Sequence, residues 1–82
     1  MNDIDHALEA AIMQLLAQRG PGKTICPSEA ARLLSPAGWK DLMDKARAAA
    51  QRLVAKGEIV VTQRGKIVDP SHVKGPIRLK IR

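Results

Sequence analysis

The sequence predicts a small α+β domain in which three helices precede a C-terminal sheet. Three observations predict it. Apolar residues recur at helical spacing over residues 4–16 and 39–54. The longer β-branched and alternating runs come after Gly57, at residues 59–62 and 77–82. Glycine and proline gather between these segments, at Gly20-Pro21-Gly22, Ser35-Pro36-Ala37-Gly38 and Gly75-Pro76. With 82 residues the chain has room for one domain, residues 1–82, and buries only roughly 60% of its unfolded surface. That supports a single core without a deep substrate cleft, so binding is expected rather than catalysis.

Helix 1 follows from Ile4, Ala7, Leu8, Ala11, Ile12, Leu15 and Leu16, which form one stripe at i, i+3, i+4 and i+7. Asn2 or Asp3 suits its N-cap, and Asp5 and Glu9 lie towards the positive end of its dipole. Gly20-Pro21-Gly22 ends it. Thr24-Ile25 then makes a short extended connector, and Pro27 suits the first position of helix 2, with Glu29 in its first turn. Ala30, Ala31, Leu33 and Leu34 are expected to form the inner face of that helix.

Helix 3 is expected from Trp39 onwards, with Trp39, Leu42, Met43, Ala46, Ala50, Leu53 and Val54 inward and Gly57 as its left-handed cap. Ile59-Val60-Val61-Thr62 reads as a strand. Arg64-Gly65 reads as a turn, with Lys66-Ile67-Val68 able to pair back on residues 60–63. In the last run Ile77, Leu79 and Ile81 alternate with Arg78, Lys80 and Arg82, so a strand turns the apolar set inward and the basic set outward. The order helix, extended segment, helix, helix, strand, long loop, strand is the winged-helix arrangement. Helices 2 and 3 would make a helix-turn-helix, the two terminal strands a β-hairpin wing, and Thr24-Ile25 a third strand at the sheet edge.

Several separated segments also resemble one known family. They are Arg19-Gly20-Pro21-Gly22-Lys23-Thr24-Ile25-Cys26-Pro27-Ser28-Glu29, then Trp39, then Thr62-Gln63-Arg64-Gly65 with Val68-Asp69-Pro70, and Gly75-Pro76-Ile77-Arg78-Leu79. Together, in this order and over nearly the whole chain, they resemble an uncharacterised bacterial family, domain of unknown function 3253. The resemblance implies a compact bacterial winged-helix domain and no activity.

Composition narrows the function classes. The chain carries 14 Lys plus Arg against 8 Asp plus Glu, a net charge of +6, which favours polyanionic partners. With no Phe, no Tyr and one Trp, it lacks the rings on which single-stranded bases stack. A lone Cys26 forms no internal disulfide, and Asp3, Asp5, His6 and Glu9 stand where a signal peptide needs a basic start and an apolar run, so a cytoplasmic location is expected. No apolar stretch approaches the roughly 20 residues of a membrane span.

Motifs for chemistry are incomplete. Gly22-Lys23-Thr24 matches the end of a phosphate-binding P-loop, but the first glycine of that motif would fall at Ala17, inside helix 1. A tight turn explains the same residues. Cys26 precedes a helix start, where a thiolate is stabilised, yet His6 and His72 share no motif with it. The same three residues lack the paired short spacing of a zinc site. No enzyme, metal or cofactor is therefore expected. Trp39 is expected at a helix junction in the core; an exposed anchor for a partner is the other role open to it.

The basic residues are more informative. Residues 64–82 hold Arg64, Lys66, Lys74, Arg78, Lys80 and Arg82 against Asp69 alone, whereas residues 1–22 hold Arg19 against Asp3, Asp5 and Glu9. On helix 3, Lys40, Asp41, Asp44, Lys45, Arg47, Ala48, Gln51 and Arg52 fall on the outer and flanking faces. The expected function is binding of double-stranded DNA, of the kind that serves transcriptional regulation. The expected contacts are Lys45, Arg47, Gln51 and Arg52 of helix 3 with Arg64, Lys66 and Lys74 of the wing. Asp41 and Asp44 oppose such an approach, and the alternative is a protein-interaction module that docks an acidic partner without any nucleic acid.

Overall fold

A computed structural model describes residues 3–82. The apolar stripe of the first segment forms α1 (Asp3–Arg19), which buries Leu8, Ala11, Ile12 and Leu16. Asp3 lies within the helix, and Asn2, the other expected cap, lies outside the described residues. Ile4, expected on the inner stripe, is 40% exposed, because the first turn of α1 runs beyond the core. After β1 (Thr24–Ile25) the chain enters α2 (Pro27–Leu34) with Pro27 at its start, as expected. Glu29 accepts the Cys26 N–H at 2.7 Å, satisfying one of the donors that a helix start leaves open. The same carboxylate pairs with Arg19 at the end of α1, so one acid ties two helix termini together.

Leu33 and Leu34 depart from expectation: they are 47% and 36% exposed, and Pro27, Ala30 and Ala31 alone make the inner face of α2. At 100° per residue Leu33 falls well off the Ala30/Ala31 stripe, and Leu34 is the final residue of a helix of only two turns.

The third helical segment opens as a 3-10 turn (Trp39–Leu42) and continues as α3 (Met43–Ala55). Trp39 is half-buried against the core, with the Arg32 guanidinium 4.2 Å from its ring centroid, consistent with a helix-junction role. The inner face of α3 is Ala46, Ala49, Ala50 and Leu53. Small side chains let α3 pack closely against both α1 and α2. The helix ends where expected: Gly57 has φ +77°, its N–H bonds Val54 and the Glu58 N–H reaches back to Leu53 at 3.0 Å, closing the last turn.

Among the described residues β1, β2 (Ile59–Gln63), β3 (Lys66–Val68) and β4 (Arg78–Ile81) make one antiparallel sheet in the order β1-β4-β2-β3. The expected pairings are present, with Val61 opposite Leu79, Ile25 opposite Leu79, and Gln63 opposite Lys66 across the turn. Alternation sends Ile25, Ile59, Val61 and Leu79 to the helices, where they complete the core with Leu8, Ile12 and Leu16. The opposite face carries Thr24, Val60, Thr62, Ile67, Arg78 and Lys80. Three helices on one face of a four-stranded antiparallel sheet make this an α+β domain, compatible with a winged-helix-like fold. No helix among the described residues is long and apolar enough to cross a membrane.

Candidate nucleic-acid interface

The β2–β3 connection is a two-residue turn in which Arg64 and Gly65 both have positive φ, +55° and +81°. Such a turn matches the right-handed twist of its strands and favours Asn-Gly; glycine adopts it freely, whereas an arginine does so at a cost. Arg64 is thereby fixed at the tip of the hairpin. From β3 the chain returns to β4 through residues 69–77, and this return loop is tied down at several points. Asp69 accepts the hydroxyl and the N–H of Ser71 at 2.7 and 2.9 Å, which holds its carboxyl below the usual range. Gln63, at the end of β2, donates its side-chain amide to the carbonyls of Lys74 and Pro76 at 2.7 and 3.1 Å. Arg47 donates to the Gly75 carbonyl at 3.0 Å and Gln51 to that of Pro70 at 3.3 Å. The loop is thus clamped between α3 and the end of β2.

Together the turn and the loop enclose a half-open cleft of about 540 Å³, lined by Gln63, Arg64, Lys74, Gly75, Pro76 and Arg78. Three of the six lining residues are cationic and none is acidic. Arg78 is anchored beneath it, with Nε 3.0 Å from the Thr24 hydroxyl and a terminal nitrogen 3.2 Å from the Thr24 carbonyl.

The expected contact residues separate into groups. Arg64 and Lys74 line the cleft, Lys66 stands on β3 beside the turn, and all three are exposed. Among the described residues, the side chains of Arg64, Lys66 and Lys74 make no hydrogen bond or ion pair. Arg47 and Gln51 border this region but use donors to hold the return loop. Lys45 is exposed on α3, outside the cleft.

Arg52 faces α1 instead. Its Nε lies 2.7 Å from the Glu9 carboxylate, and a second nitrogen donates to the Asp5 carbonyl at 3.3 Å. Lys56 completes the group, 2.7 Å from the other Glu9 oxygen. Glu9 itself is only 7% exposed, and the hydrogen bonds from Lys56 and then Arg52 hold its carboxyl below its ordinary value. Arg52 therefore joins α3 to α1 and takes no part in the cleft.

Of the cleft's lining, Gln63, Gly75, Pro76 and Arg78 were not among the expected contacts, and Arg78 and Gln63 are the two of these with polar side chains. The antiparallel register that sets Thr62 opposite Arg78 carries the strand's outward arginine to the turn end of the sheet, a neighbourhood that pairing alone defines. The remaining chemical candidates stay apart in the chain: His6 lies on α1, Cys26 before α2 and His72 in the return loop. Among the described residues no three of His, Cys, Asp and Glu form a group able to hold a metal ion.

No curated protein matches the chain. Residues 5–82, nearly its full length, match the model of a family described as a protein of unknown function (DUF3253), and the chain belongs to that family.

Proposed function

We propose that this domain binds double-stranded DNA as a winged-helix module, with α2 and α3 as its helix-turn-helix and residues 64–77 as its wing. The carrying observation is the cleft at the turn end of the sheet, lined by Arg64, Lys74 and Arg78 and by no acid, with Lys66 on the neighbouring strand and Arg47 bonded to the return loop. Affinity in this reading comes chiefly from phosphate contacts. Base reading by α3 is minor, because Asp41 and Asp44 stand exposed at the helix start and Gln51 and Arg47 are engaged with the return loop. The role is non-enzymatic and the location cytoplasmic, in keeping with the single Cys26.

Fluorescence anisotropy with a labelled duplex across about 50 to 200 mM salt tests this. Three or four phosphate contacts predict a log–log salt slope of about −3. Absence of binding at the low-salt end overturns the reading. One observation favours the alternative, an acidic protein partner: Ile67 is 72% exposed beside the basic turn, an apolar side chain suited to a protein contact. In that case Ile67→Ala weakens partner binding while the duplex produces no change in anisotropy.

A further inference from the structure

We infer that the cleft between the β2–β3 turn and residues 74–76 is a seat for one phosphate group, with Arg64 as its leading ligand and Gln63 and Arg47 as positioning residues. The inference deepens the DNA reading and rests on it for the source of the phosphate, a backbone diester. Three features carry it.

The cleft is lined by cations of three segments: Arg64 from the turn, Lys74 from the return loop and Arg78 from β4. Like charges lining one cleft repel one another, and a bound anion relieves that repulsion. Next, the carbonyls of Lys74, Gly75 and Pro76 are each taken by a side-chain donor, two by Gln63 and one by Arg47. Those oxygens are the loop carbonyls of the cleft-lining residues, and left open they would repel an anion. With them occupied, Lys74 and the guanidinium groups dominate the field in the cleft. Arg78 is oriented in its turn by Thr24, which engages Nε and one terminal nitrogen and leaves the other free to donate.

Arg64 is the most specific of the three. It occupies a left-handed position, φ +55°, that the turn would fill more readily with asparagine or glycine. The fold is not served by an arginine there. A planar guanidinium that can grip two phosphate oxygens is what the position supplies.

The test is two-dimensional NMR of the whole chain, titrated with sodium phosphate against sodium chloride at matched ionic strength, and separately with a short duplex. Phosphate is expected to shift the amides of Arg64, Gly65, Lys74 and Gly75 and the Nε–H signals of Arg64 and Arg78, leaving α1 unmoved. Arg64→Asn keeps the turn and is expected to melt no lower than the parent while binding phosphate about fivefold more weakly. Lys74→Ala is expected to lose a similar factor, and Gln63→Ala to weaken phosphate binding and broaden the Lys74 and Gly75 amides while the amides of α1 stay sharp. Shifts that phosphate and chloride produce equally overturn the seat; a duplex that still binds then leaves the DNA reading standing. Phosphate shifts at the cleft without any duplex binding uphold the seat and overturn the DNA reading. An Arg64→Asn protein that binds phosphate as tightly as the parent overturns the role of Arg64.

Discussion

Glu9 lies on the buried side of α1 although a hydropathy stripe gives no reason to put an acid there. What makes the position tolerable is a pair of cations from a distant part of the chain, Arg52 and Lys56, one on each carboxylate oxygen. The Lys56 side chain is half exposed, so the group sits at the rim of the core rather than inside it, and its net contribution is moderate. Glu9→Gln is expected to cost about 1–2 kcal/mol in denaturant unfolding, since it leaves two cations facing a neutral amide. The sign with pH follows from the lowered carboxyl. Its stabilisation is complete above the ordinary value of 4.5 and fades as pH falls through the still lower folded value. The stability difference between parent and Glu9→Gln, measured by urea unfolding from pH 7 to pH 3, should therefore shrink towards the acid end. Arg52→Ala should likewise destabilise the fold, yet leave duplex affinity near the parent's at a temperature where both are folded. Arg64→Asn should do the reverse, weakening the duplex complex while gaining up to about 1 kcal/mol from relief of the left-handed arginine.

At the scale of elements, α3 shows what a sequence carries and what it does not. Its stop at Gly57 and its inward stripe follow from periodicity and one glycine, whereas its start does not, since residues 39–42 form a 3-10 turn before it. Ala49 is fully buried and sits at helical spacing, three residues after Ala46 and four before Leu53, yet hydropathy alone does not pick it out, because alanine contrasts too weakly with its neighbours to mark a face. It is the close approach of α1 and α2 that selects Ala46, Ala49 and Ala50. Ala49→Leu should consequently destabilise by about 1–3 kcal/mol through overpacking, read from the shift in thermal midpoint. Gly57→Ala should also destabilise, since the left-handed conformation is retained and an added Cβ would come within 3.3 Å of the Arg82 guanidinium. The strands were more legible than the ends of helices. The β-branched and alternating runs of residues 59–62 and 77–82 defined β2 and β4, and even the short β1 and β3 followed from composition and turn signals. Leu33 and Leu34 failed because a two-turn helix offers too few residues for a stripe to be distinguished from its flank.

Over the whole molecule, the basic C-terminal third and the acid-rich α1 make a charge asymmetry that was legible by counting. Its focus was not. Arg64, Lys66 and Lys74 could be assigned to a wing, but the joining of Arg78 to them depends on strand register. The withdrawal of Arg52 depends on Glu9, and the engagement of Arg47 and Gln51 on a loop that docks from more than one turn away; none of these long-range contacts has a local signal. The order β1-β4-β2-β3 leaves one more mark, on timescales. Interior strand β4 is bonded on both sides, whereas β3 is a three-residue edge held by β2 alone. Native-state hydrogen exchange should accordingly separate two populations of amides, with Leu79 and Lys80 opening only in global unfolding and Lys66 to Val68 through a cheaper local event. An anion held at the turn would slow the second population and leave the first at its original rate, so the hairpin can stiffen on binding while the rest of the domain keeps its dynamics.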